Sequence, residues 1–136
     1  MGSSIYTEII LELYKNPLNK GRIEGADIEA SGGNPTCGDQ VTFTLKVKSG
    51  IIEDIKFHGS GCAISVAAES LLGEMVKGRK IQEAKKITDK ELFAELGNII
   101  QTRGKCALLG LMVLKIGLEE YEKNSEKRTV VKGIVV

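Results

Sequence analysis

The sequence predicts an α+β domain in which a three-stranded antiparallel meander follows an N-terminal helix and the C-terminal helices pack on one sheet face. Two observations carry that expectation. Residues 41–48 (VTFTLKVK) alternate apolar and polar at period two, and residues 51–58 (IIEDIKFH) follow after a Ser49-Gly50 turn with Ile51, Ile55 and Phe57 on one face, which together read as a β-hairpin. From Cys62 onward the apolar residues recur at helical spacing instead.

At the N-terminus, MGSSIYTEIILELY is too short and too charged for a membrane span or a signal peptide, and reads as an amphipathic helix capped by Ser3 or Ser4 and ended at Asn16-Pro17. A cytoplasmic protein with reduced thiols is therefore expected, and the odd cysteine count argues against a disulfide framework. Residues 22–31 (RIEGADIEAS) alternate weakly through Ala26, Ile28 and Ala30 and read as an edge strand. Gly32-Gly33-Asn34-Pro35-Thr36 then reads as a mobile loop that presents Cys37.

The hairpin carries a geometric consequence. If Lys48 faces Ile51, Val41 faces His58, and extending that register past the paired residues brings Cys37 and Cys62 to the same open end. Cys62 then opens a helix, residues 62–77, with Ile64, Ala67, Ala68, Leu71, Leu72 and Met75 on one stripe and Gly78 as its stop. Thr88-Asp89-Lys90-Glu91 is a capping-box pattern that starts another helix through Leu92, Phe93, Leu96, Ile99 and Ile100, ending near Gln101. A long apolar helix begins at or just before Cys106, with Leu108, Leu109, Met112, Val113, Ile116 and Leu118 available to the core. The closing SEKRTVVKGIVV reads as a flexible tail from about residue 125, an added strand or a dimer contact.

Composition narrows the function classes. A length of 136 residues with 42% hydrophobic residues is most economically one domain, 1–136, with its own core. A net charge of +1, few aromatics and no basic tract argue against nucleic acid, and nothing in the chain suggests a membrane. What stands out is the set Cys37, Asp39, Cys62 and Cys106, three soft donors and one hard one, which suit iron or zinc. Cysteines at helix starts favour thiolate through the unpaired N–H groups of the first turn, and Arg103 and Lys105 add positive charge beside Cys106. Simpler roles stay open: buried cysteines that only pack, Asp39 as a turn residue bonding its own backbone, His58 as a strand-end residue, and Lys105 as a solvated charge. His58 and Lys105 stand as secondary candidates for the metal, and a hydrolase is disfavoured because His58 has no evident orienting partner.

Three motifs in order carry a resemblance over almost the whole chain: Asn34-Pro35-Thr36-Cys37-Gly38-Asp39, Phe57-His58-Gly59-Ser60-Gly61-Cys62-Ala63-Ile64-Ser65, and Lys105-Cys106-Ala107-Leu108-Leu109, preceded by Asn16-Pro17 and Gly21. The chain resembles the IscU-type iron-sulfur cluster scaffold proteins, a group that includes the N-terminal domain of NifU and the SufU proteins. The resemblance implies an IscU/SufE-like fold and a scaffold rather than an enzyme. It also implies a labile [2Fe-2S] cluster on Cys37, Asp39, Cys62 and Cys106, with sulfur from a cysteine desulfurase (IscS/NifS/SufS type) and transfer to apo-protein or carrier acceptors. Zn²⁺ in the apo form, a homodimer, and a zinc-bound SufU-type sulfur acceptor are the further states it allows. The persulfide acceptor candidates are Cys106 and then Cys37. Three departures matter: Lys105 stands where the IscU branch carries His, the span from Cys62 to Cys106 lacks the SufU insertion, and residues 99–103 (IIQTR) replace the Leu-Pro-Pro-Val-Lys chaperone segment.

Overall fold

The computed structural model describes residues 8–97 and 104–136. The order is α1 (Glu8–Lys15), β1 (Ile28–Asn34), β2 (Asp39–Lys48), β3 (Ile51–Ser60), α2 (Ala63–Val76), α3 (Ile81–Ala84), α4 (Asp89–Glu95), α5 (Gly104–Lys123) and β4 (Thr129–Val135). The architecture is α+β, as expected. The caps anticipated at Ser3 or Ser4 fall outside the described residues, as do Ile99, Ile100, Gln101 and Arg103.

The sheet differs from a three-stranded meander. It has four strands in the order β3-β2-β1-β4, antiparallel except for β4, which runs parallel to β1. β1 is therefore an inner strand, and it begins at Ile28 and runs on through Gly32, Gly33 and Asn34, residues whose composition suggested a loop. Glycines reduce strand propensity, yet here they make the pairing possible: a Cβ on Gly32 would stand 2.7 Å from both the Ile134 carbonyl oxygen and Val113 Cγ2. Only a residue without a side chain lets β4 and α5 close on β1 together. Of the readings open for the C-terminal run, the added strand is the one found, tied at its ends by Thr129 N–H to the Asp27 carbonyl (2.9 Å) and Val136 N–H to the Gly33 carbonyl (3.1 Å).

The β2–β3 hairpin turns at Ser49 and Gly50, both with positive φ (53° and 75°), as a two-residue turn matched to strand twist requires. Lys48 faces Ile51 as expected, but a bulge at Glu53, between Ile52 and Asp54, shifts the register, so that Val41 faces Gly59 and His58 faces Thr42. The Asp54 carboxylate accepts the Ile55 N–H at 2.8 Å, giving that backbone group a partner beside the irregularity.

Val41, Phe43, Leu45, Ile55 and Phe57 are buried together with Ile28 and Ala30 on one sheet face, and α2 and α5 pack there, with α1 against α2. Phe43 and Phe57 are direct cross-strand partners with ring centroids 6.3 Å apart. The α2 stripe buries Ile64, Ala67, Ala68 and Leu72, while α5 buries Leu109, Val113 and Leu118 but leaves Met112 44% exposed. Thr88 caps α4 with the expected box, its Oγ1 accepting the Glu91 N–H at 3.1 Å. That helix ends earlier than its apolar spacing suggested, at Glu95, because Gly97 adopts φ 91°.

Deleting residues 129–136 removes the β1–β4 ladder and the cover that Ile134 and Val136 give the core. The shortened chain is expected to stay folded but to lose about 2–4 kcal/mol in urea unfolding. An unchanged transition would mean that β4 does not hold β1 in solution.

Candidate metal centre

Cys37 lies in the turn between β1 and β2, which spans residues 35–38, and Asp39 opens β2 directly after it. The turn is closed by the Gly38 N–H on the Asn34 carbonyl (2.8 Å) and the Thr36 N–H on Asn34 Oδ1 (3.0 Å), with Gly38 at φ 78°. Cys62 is the N-cap of α2, with extended backbone (φ −72°, ψ 170°) and no side-chain cap hydrogen bond. Cys106 sits in the first turn of α5. Neither helix carries an acidic residue in its first turn, so no carboxylate of that turn offsets the positive end of either macrodipole.

Three of the four expected residues meet. One carboxylate oxygen of Asp39 and the Sγ atoms of Cys62 and Cys106 all lie within 4.8 Å of one another. Asp39 is buried, 6% exposed, and Cys62 and Cys106 are half-buried. The Cys37 thiol stands apart from that trio: it is exposed, and its Sγ is 3.9 Å from the Asn34 carbonyl oxygen of its own turn. His58 is not part of the trio either, and its buried Nδ1 has no hydrogen-bond partner. Lys105 is exposed.

The electrostatics correct one expectation. Burial first, then the hydrogen bond and charge of Cys62, then Asp39 and Cys37, push the Cys106 thiol up to about 11. The helix terminus and the exposed Lys105 do not outweigh desolvation and the surrounding acidic groups, so a metal-free Cys106 carries its proton at neutral pH. A cation at the trio reverses the balance and displaces that proton.

Two further residues bear on the site: Ser65, which the sequence offers only as the end of the second motif, and Glu69, which no motif contains. Ser65, 1% exposed, donates from Oγ to Asp39 Oδ2 and lies 3.1 Å from the Cys106 carbonyl oxygen. Glu69, 3% exposed, is packed against Gly110 of α5, where an added Cβ would stand 3.0 Å from Glu69 Cγ. Burial foremost, followed by Asp39 and Cys62, raises Glu69 to about 9. The available signal was spacing: Ser65 and Glu69 stand three and seven residues after Cys62, one and two helical turns along the same face.

With this geometry in place, residues 5–128 match the NifU-like N terminal domain model. The chain belongs to that family, whose relatives include the IscU and SufU proteins. It is 41% identical over 118 residues to the iron-sulfur cluster assembly scaffold protein IscU of Aquifex aeolicus, covering 85% of this chain and 75% of that one. It is 38% identical over 130 residues to the IscU 1 scaffold protein of Archaeoglobus fulgidus, covering 96% and 85%. The zinc-dependent sulfurtransferase SufU of Bacillus subtilis is 33% identical over 139 residues, covering 88% and 92%. Among solved structures, FiSufU of Fervidobacterium islandicum AW-1 superposes with a TM-score of 0.74 at 30% identity over 84% of this chain and 96% of that one. The family match ends at residue 128, one residue before β4 begins. No helix among the described residues is long and apolar enough to cross a membrane.

Proposed function

We propose that the chain is a non-catalytic scaffold on which a [2Fe-2S] cluster is assembled from iron and desulfurase-derived sulfur and then passed to apo-proteins. Cys37, Asp39, Cys62 and Cys106 are its ligands. The observation that carries this reading is the convergence of Asp39, Cys62 and Cys106 at two helix N-termini, with the exposed Cys37 on the neighbouring turn. Thiolates are the natural ligands of iron-sulfur clusters, and one carboxylate among them makes a softer hold than four thiolates do. Cys37 is the arm that closes the site, since the other three donors are already gathered.

Sulfur enters best through Cys37. Its thiol is exposed, whereas Cys106 is half-buried and holds its proton, which reverses the order expected from basic neighbours alone. The Cys37 thiolate attacks the outer sulfur of the donor's persulfide and the donor's cysteine leaves as thiolate. Conversion of each transferred sulfur to bridging sulfide takes two electrons from an external reductant.

The same donors make a Cys₃Asp tetrahedron for Zn²⁺, and the relationship to a zinc-dependent sulfurtransferase gives a second reading: a zinc-bound sulfur acceptor that never builds a cluster. Anaerobic reconstitution with iron, cysteine, a desulfurase and dithiothreitol as reductant separates the two. The scaffold reading expects [2Fe-2S] absorption, sulfide and iron in equal amounts, and transfer to an apo-ferredoxin. Retained zinc with no cluster absorption would sink it.

A further inference from the structure

Ser65 stands in the first turn of α2 and reaches every described part of the trio. Its Oγ donates to Asp39 Oδ2, lies 3.1 Å from the Cys106 carbonyl oxygen, and is 3.6 Å from Cys62 Sγ. The hydroxyl has one proton and two candidate acceptors. The carboxylate holds that proton more strongly, because hydrogen bonds to an ionised acceptor are roughly twice as strong as neutral ones. The Cys62 S–H can donate to the Ser65 oxygen in turn, which orients the hydroxyl proton away from the thiol and toward Asp39. The room for this arrangement comes from Gly61, where an added Cβ would stand 3.0 Å from Ser65 Cβ and 3.2 Å from Asp39 Cγ.

The geometry points to Ser65 as the residue that positions Asp39 as a one-oxygen ligand: its hydroxyl engages Oδ2 and leaves a single carboxylate oxygen for the metal. The inference rests on the ligand set of the proposed function, but not on whether that metal is iron or zinc. A carboxylate in a buried site that loses such a partner loses both its orientation and the hydrogen bond that stabilises its charge. Partners of this kind typically carry about 10–100-fold in metal affinity. Ser65 is not one of the proposed ligands, and because it also neighbours Cys62 and Cys106, the Asp39→Ala background is what isolates the part of its effect carried by Asp39.

Co²⁺ is the probe, titrated anaerobically into the metal-free full chain, because its d–d bands and sulfur-to-metal absorption report the number and type of donors. Four proteins are compared: the parent, Ser65→Ala, Asp39→Ala and the double variant. Ser65→Ala is expected to weaken Co²⁺ about tenfold and to move the d–d bands toward those of Asp39→Ala. In the Asp39→Ala background the Ser65 change is expected to have no further effect, and Ser65→Thr, which keeps the hydroxyl, to restore the parental spectrum. A Ser65→Ala protein with parental affinity and spectrum, or one weakened equally with and without Asp39, overturns the assignment. Absence of thiolate-to-cobalt absorption in the parent itself overturns the ligand set, and this inference with it. A second readout leaves Ser65 intact: its hydroxyl proton is expected to exchange more slowly in NMR spectra of the metal-free parent than in Asp39→Ala, where only the weaker, neutral Cys106 carbonyl remains to accept it. Equal exchange in both, fast or slow, would overturn the Ser65–Asp39 bond directly.

Discussion

Replacing Glu69 with Gln is expected to stabilise the metal-free protein most at alkaline pH and hardly at all in acid. Glu69 is 3% exposed on α2, beneath Asp39 and Cys62, and its carboxyl is raised from 4.5 to about 9, chiefly by burial. An acid whose folded value is raised binds more protons in the native than in the unfolded chain between those two values. Stability therefore falls as pH rises across that window. Below 4.5 both states hold the proton and nothing is lost; above about 9 both are ionised and the loss levels off. At pH 7 the cost is on the order of 3 kcal/mol, from about 1.4 kcal/mol per pKa unit above the unfolded value. Gln keeps the shape and carries no titrating proton, so urea unfolding at pH 5.5, 7 and 8.5 should show a gain of about 2–3 kcal/mol at pH 7 that widens with pH. Parallel pH profiles for parent and variant would show that Glu69 is not held neutral.

Replacing Asp39 with Ala is expected to slow loss of a reconstituted cluster by about tenfold, an increase of about 1.4 kcal/mol in the release barrier. In the proposed ligand set the carboxylate is the one oxygen among sulfur donors and the weakest partner for thiophilic iron, which would make it the position at which an acceptor's thiolate enters. Its companions behave oppositely: replacing Cys37, Cys62 or Cys106 with Ser should abolish stable cluster binding. The decay of visible absorption under an excess of chelator measures both. An Asp39→Ala protein that loses its cluster faster than the parent would contradict the account of lability, and would make Asp39 a structural ligand instead.

These two carboxylates differ in how far the chain alone reveals them. Asp39 was legible because it stands two residues after Cys37, in the Cys37-Gly38-Asp39 motif that the family resemblance rests on. Glu69 was not, because one charged residue among apolar ones is ordinary on a helix that is part exposed. Only the packing of α2 against α5, with Gly110 opposite, makes its position an interior one. Ser65 was hidden for a similar reason. In the sequence it is only the last residue of the Cys62 motif, and its importance comes from three hydrogen-bonding atoms that belong to β2, the N-cap of α2 and α5.

The hairpin shows the same division in a smaller compass. Alternation and the Ser49-Gly50 turn correctly start the register at Lys48 and Ile51, but the bulge at Glu53 depends on local ladder geometry that alternation does not encode. The error is one residue, enough to set His58 opposite Thr42 rather than Val41, yet Cys37 and Cys62 still leave the sheet at one end.

By itself the sequence determined the α+β class, the two helices whose starts carry Cys62 and Cys106, and the set of residues proposed as donors. Periodicity and capping are properties of neighbouring residues, and thiol chemistry belongs to the residue type. The tertiary structure decided which donors are already together, which thiol stays outside, and that Cys106 keeps its proton. It also decided that the glycine-rich residues before Cys37 form an inner strand, held on its far side by β4. Those outcomes depend on distances between segments far apart in the chain and on burial, which exist only once α2 and α5 have closed over the sheet.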